Sequence, residues 1–217
     1  MNSRTDILGR MRAQLGRTTE NGAAGERDID AYLTARPRGP LAAMEGDLVA
    51  CFEAASLALN SSVERLGTVD VVPAAVARYL TARQLSLAAA IWPRLAHLAW
   101  AASGMAVDAR AANGDDLVGI TGVFCAVAET GTLLLCGAPD APATVSLLPE
   151  THIAIVESTR IVTDMETAWT LLRKEMSELP STVNFISGPS RTGDIEQTLV
   201  LGAHGPYRVH ILIVEDA

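Results

Sequence analysis

The sequence is poor in aromatic side chains, in cysteine and in clustered positive charge, and each shortage closes off a class of function. Phe, Trp and Tyr make up 4% of the chain although hydrophobic residues reach 49%. The core therefore has to be assembled from Ala, Val, Leu and Ile, which suits close packing of helices on a sheet. Cysteine occurs at Cys51, Cys125 and Cys136, far apart and without a Cys-x-x-Cys pair. Neither a disulfide framework nor a cysteine-held metal site follows from that spacing, and each thiol reads as a small buried hydrophobe. Basic runs are absent, and 17 Lys and Arg against 25 Asp and Glu leave a net charge of −8, which disfavours nucleic acid or an anionic membrane surface as partner. No apolar stretch reaches the roughly 18 residues of a membrane span, and the first residues lack an apolar signal core, so the expected location is cytoplasmic.

Several motifs are missing too. Gly-x-x-x-x-Gly-Lys-Ser/Thr, Gly-x-Gly-x-x-Gly and Gly-x-Ser-x-Gly do not occur, so nucleoside triphosphate, dinucleotide and serine hydrolase readings lack their signatures. The four histidines show no His-x-x-His spacing, and no metal site is expected.

The patterning that is present predicts an α/β domain preceded by a small addition. Ile7, Leu8, Met11 and Leu15 recur at helical spacing with arginines opposite. Residues 18–46 turn to Gly, Ala, Pro and charge and read as a linker or arm, so the expected division is 1–46 and 47–217. Asp47 to Leu66 reads as one core-facing helix, Thr68 to Val72 as a short strand, Pro73 to Gln84 as a helix and Leu85 to Ile91 as a second strand. Val107 to Ala111, Leu133 to Cys136, Ile153 to Glu157, Val183 to Ile186 and Val209 to Val214 read as further strands, and Met165 to Leu179 as an amphipathic helix. Strands alternating with helices imply a parallel sheet with right-handed crossovers.

Two stretches carry candidate chemistry. The first is Ala128-Glu129-Thr130-Gly131-Thr132, where Glu129 beside a glycine turn is the leading acid, base or nucleophile candidate. A structural reading, in which Glu129 only shapes the turn, stays open. The second runs from Ser187 to Pro206. Val183 to Ile186 leads into Ser-Gly-Pro-Ser, after which Asp194 and Glu196 open a helix-like segment that stops at Gly202. Ser187, Gly188, Ser190, Arg191, Thr192 and His204 would gather beyond a strand end, where Arg191 can fork onto a carboxylate. His152, at a strand entry, and His204 are the better placed imidazoles; His97 and His210 read as structural.

The run Ser187-Gly-Pro-Ser-Arg-Thr-Gly-Asp-Ile-Glu-Gln-Thr-Leu-Val-Leu-Gly-Ala-His-Gly-Pro206 closely resembles the signature of the lactate utilization protein C family, the LUD domain. The likeness extends through Gly119-Ile120-Thr121-Gly122, Ala128 to Thr132 and Leu148-Pro149-Glu150-Thr151-His152. Gly193 departs from it, standing where alanine is expected. The resemblance implies a Rossmann-like, parallel-rich α/β fold similar to the sugar-phosphate isomerase and CoA transferase-like group, in which Glu129-Thr130-Gly131 looks similar to a catalytic glutamate turn. It further implies an accessory or ligand-binding subunit of a system oxidising L-lactate to pyruvate. The chain itself would carry no cofactor, iron–sulfur clusters belonging to partner proteins. Thr130, Gly131, Thr132, His152 and the signature residues would bind a small anionic ligand. The alternatives are a free-standing enzyme acting on a small carboxylate, phosphate or CoA ester, and a sensor of a hydroxy acid. A homo-oligomer is compatible with each.

Overall fold

The computed structural model describes all residues except 1, 2, 17, 18, 42, 43, 45, 196, 197, 203 and 217. The chain divides into two compact units, Met1–Leu41 and Ala42–Ala217. The first holds two helices, α1 (Ser3–Gln14) and α2 (Thr19–Ala35). Residues expected to form an arm are thus largely helical. Alanine carries the helix propensity there, Ile29, Tyr32 and Leu33 fall three and four apart, and the helix stops at Arg36, whose φ is 44° before Pro37.

The second unit opens with α3 (Leu48–Ala58), capped by Asp47, whose carboxylate accepts the Ala50 N–H at 3.0 Å. The helix expected to run to Leu66 ends early because Asn60 adopts a left-handed φ of 66°, a conformation asparagine tolerates at helix ends. The chain is then free to form β1 (Ser62–Thr68), which takes the place of the strand expected at Thr68 to Val72. There follow α4 (Val72–Ala82), β2 (Ala88–Ile91), β3 (Ala106–Ala109), β4 (Val118–Gly122), β5 (Cys125–Val127), β6 (Thr132–Cys136), α5 (Thr144–Leu147) and β7 (Thr151–Glu157). The remainder is β8 (Ile161–Val162), α6 (Met165–Glu175), β9 (Val183–Ile186), β10 (Arg191–Ile195), β11 (Thr198–Leu201) and β12 (Arg208–Asp216).

Six strands form an all-parallel sheet in the order β1-β12-β7-β4-β2-β3. Its middle strands are buried on both faces, which is why β7 and β12 read as near-continuous apolar runs. On one face Ile120, Ile153, Leu212 and Val214 pack with Val76, Tyr79 and Leu80 of α4. On the other Ala154, Val156, Ile211 and Ile213 meet Phe52 of α3 and Leu133 and Leu135 of β6. The latter strand belongs to a four-stranded sheet, β8-β5-β6-β9, whose far side packs through Cys125, Val127 and Leu134 on Ala168 and Leu172 of α6. The expected Rossmann-like, parallel-rich α/β architecture is present, with a second sheet in place of part of one helical layer. Among the described residues no helix is long and apolar enough to cross a membrane.

Candidate functional site

The turn between β5 and β6 brings one candidate stretch against the other. Thr132 is 2% exposed, and its hydroxyl lies 2.7 Å from the Thr130 hydroxyl and 2.7 Å from that of Ser187, which follows β9 directly. The antiparallel register of β6 and β9, with Leu133 opposite Ile186, sets this meeting. Two glycines press the cluster onto α3. Gly131 has φ 62°, and a Cβ there would lie 2.6 Å from the Ser56 nitrogen; Gly188 has φ 80°, and its Cβ would lie 2.7 Å from the Leu59 carbonyl oxygen. Only glycine combines such a backbone with so close an approach.

Glu129 sits at the edge of this cluster, half-buried. Its backbone N–H donates to the Thr163 carbonyl at 3.0 Å, and its carboxylate meets no side-chain partner among the described residues. Arg191, the expected anion anchor, turns instead to the end of α3, where its guanidinium donates to the Leu59 carbonyl. A cation satisfies an open carbonyl there and suits the negative end of the helix.

The segment expected as a helix from Asp194 to Gly202 is a hairpin. β10 and β11 pair antiparallel, Arg191 opposite Leu201 and Thr192 opposite Val200, with a register shift between Thr192 and Ile195. Gly193 and Asp194 fall within that bulge, a position glycine accommodates. Among the described residues of this stretch no helix start offers unpaired N–H groups to a ligand. Glu196, also singled out from the sequence, lies outside the described residues. The hairpin is closed by Ser190, whose N–H donates to the Pro206 carbonyl at 2.9 Å and whose carbonyl accepts from Gly202 at 2.9 Å.

Past the hairpin the chain turns into β12 at the amino ends of the parallel strands, Arg208 standing opposite Thr151. A cleft of about 660 Å³ opens there, lined by Leu147, Leu148, Glu150, Gly202, His204, Gly205, Tyr207 and Arg208. Among the described residues, His204 is the one candidate read from the sequence that lines it. Glu150, Tyr207 and Arg208 are not among those candidates, and a single cation at a strand entry carries no local signal that sets it apart from surface.

His152 does not reach a cleft. It is fully buried within β7, its Nε2 2.8 Å from the Thr121 hydroxyl and its Nδ1 without a partner. Burial pushes its pKa down to about 4, so the ring is neutral at pH 7. His210 is structural, as expected. It stacks on Tyr79 with ring centroids 3.8 Å apart, and its Nδ1 lies 2.9 Å from the Ser62 hydroxyl. Burial, with help from the nearby Arg83 and Arg78 charges, lowers its pKa to about 4 against the opposing pull of the Ser62 carbonyl. His97 is exposed, its Nδ1 2.9 Å from the Arg94 carbonyl. Among the described residues no group of three or more His, Cys, Asp or Glu is placed to hold a metal ion. Cys125 and Cys136 are sealed in the core beside α6, and burial pushes their thiols up to about 12 and 11.

Comparison with known proteins places this geometry in a family. The LUD domain model matches residues 71–214. Lactate utilization protein C of Bacillus licheniformis is 35% identical over 129 residues, covering 58% of this chain and 54% of its own. The Bacillus subtilis protein of the same name is 42% identical over 102 residues, covering 46% of this chain and 42% of its own. The chain thus spans about half the length of the curated relatives it matches. The crystal structure of a DUF162 family protein from Deinococcus radiodurans aligns with a TM-score of 0.59 and 25% identity, over 81% of this chain and 99% of that one. Since the family match runs from the start of α4 into β12 and takes in the hydroxyl cluster, the hairpin and the cleft, the chain belongs to the LUD domain family.

Proposed function

We propose that the chain serves in lactate utilization as an accessory or ligand-binding subunit, within a system that oxidises L-lactate to pyruvate using separate iron–sulfur proteins. The observation that carries this reading is the signature loop itself. From Ser187 to Pro206 it is tied at one end to the Thr130-Gly131-Thr132 turn and at the other to β12, in a chain whose relatives bear the name lactate utilization protein C. The core-bound Cys125 and Cys136 support assigning clusters to partners. The test is growth on L-lactate of a host lacking its own such protein. The wild-type chain should restore growth, the Thr132→Val/Ser187→Ala double variant should not, and the purified chain alone should not reduce an electron-accepting dye with L-lactate. Rapid dye reduction by the isolated chain would overturn the subunit reading.

A second reading rests on the Glu129 carboxylate, which meets no described side chain and directly precedes the Thr130-Gly131-Thr132 turn. In it the chain is a free-standing enzyme on a small carboxylate, phosphate or CoA ester, with Glu129 as acid, base or nucleophile. Turnover of such a substrate by the isolated chain, abolished in Glu129→Gln, would decide for it.

A further inference from the structure

The cleft at the amino ends of β7 and β12 is chemically unlike the hydroxyl cluster, and its lining specifies a ligand. Arg208 and Glu150 are bound through their backbones, the Arg208 N–H donating to the Glu150 carbonyl at 3.0 Å. Their side chains nevertheless make no ion pair with each other or with any described residue. Opposite charges on neighbouring strand entries ordinarily find a partner, yet here the Arg208 guanidinium lies over the Tyr207 ring, 4.8 Å from its centroid. A cation–π contact uses none of the guanidinium N–H groups for a hydrogen bond, so they remain available to fork onto an oxyanion. Glu150 offers only acceptors and calls for a donor.

The rest of the lining adds His204 and three exposed apolar side chains. Leu147, Leu148 and Tyr207 are 40%, 52% and 46% exposed, a contiguous surface that a soluble domain gains by covering. Gly202, at φ 76°, keeps the floor clear, because a Cβ there would lie 3.1 Å from that of Tyr207. At about 660 Å³ the space lies within the range of small-molecule sites, and is far larger than a three-carbon acid requires.

We propose that this cleft binds a small organic anion with an apolar body and a hydroxyl or ammonium donor, its oxyanion on Arg208, its donor on Glu150 and its body on Leu147, Leu148 and Tyr207. This site stands apart from the lactate reading: either can fail without the other. Carboxylate and phosphate share the chemistry that Arg208 recognises, so the probes must separate them.

The experiment is calorimetric titration of the full chain with 3-phenyllactate, 3-phenylpropanoate, which lacks the hydroxyl, and phenyl phosphate. The wild type should bind at least one of the acids, with phenyllactate tighter than phenylpropanoate, and the phosphate arm shows which oxyanion is preferred. Arg208→Gln should weaken binding about tenfold to a hundredfold, as the loss of a charge-assisted contact does. Arg208→Lys should recover only part of it, and Glu150→Ala should erase the advantage of the hydroxyl. Should Arg208→Gln not fold, as judged by its circular dichroism melt, Leu148→Asp takes its place and should weaken all three probes. Absence of binding by every probe, or unchanged affinity in the Arg208 and Leu148 variants, would overturn the proposal.

Discussion

The two ends of the signature loop are built on opposite plans. At the Ser187 end, three hydroxyls satisfy one another, and Gly131 and Gly188 seat their turns against α3 with no room for another atom. At the His204 end, Arg208 and Glu150 line one cleft without an ion pair to any described residue, apolar side chains stand exposed, and the Cβ that Gly205 lacks would meet its nearest neighbour only at 3.4 Å. Polar groups that close on each other hold a fold in register, whereas polar groups left facing solvent beside apolar surface are available to a ligand. The loop is therefore anchored at one end and receptive at the other.

Perturbing the closed end should give the largest effect. Gly131→Ala forces a left-handed backbone and a contact of 2.6 Å on α3, and should cost about 3 kcal/mol or more in urea unfolding. A loss below about 1 kcal/mol would mean that the turn is not seated on α3. Next comes pH. His152 and His210 are both held neutral by burial, with pKa values near 4 against an ordinary 6.5. Below pH 6.5 the unfolded chain takes up protons that the folded one refuses, so stability falls as pH drops from 6.5 to 4 and the loss is complete below that. Each pH unit across that window of 6.5 to about 4 is worth about 1.4 kcal/mol, which sets an upper bound of about 3.4 kcal/mol per histidine. His210→Phe should remove about half of that slope in urea midpoints measured from pH 7 to pH 4.

Thr132→Val should cost about 1–2 kcal/mol, because it strips the buried middle member from the hydroxyl chain. The smallest change belongs to the open end. Gly205→Ala should shift stability by less than about 0.5 kcal/mol, since its new Cβ meets Ser190 at ordinary contact distance. A large loss there would erase the distinction between the two ends.

The same contrast governs what is legible in the sequence. Buried strands such as Ile153 to Glu157 and Val209 to Val214 stand out because parallel strands covered on both faces are apolar along most of their length. The β10–β11 hairpin is hidden because Asp194, Glu196 and Gly202 imitate helix-start and helix-stop chemistry, and four apolar-rich residues, Thr198 to Leu201, fit either period. Asn60 is the inconspicuous stop that divides α3 from β1. The Thr130-Gly131-Thr132 turn and the serine of Ser187-Gly188 are legible as turn chemistry. Their meeting is not, since it depends on the register of β6 with β9, which no local pattern fixes. Arg208 escapes notice because a lone arginine at a strand entry looks like surface until Tyr207 and Glu150 are seen around it.

β12 has one further consequence. It lies in the interior of the parallel sheet, between β1 and β7, although everything else in that unit precedes it in the chain. Its His210 reaches back 148 residues to Ser62. On the ribosome β1 emerges first and β7 much later, and both precede the strand that lies between them. From the emergence of β7 to that of β12 the facing edges of β1 and β7 have no strand between them, and a chaperone that shields parallel edges would act in that interval.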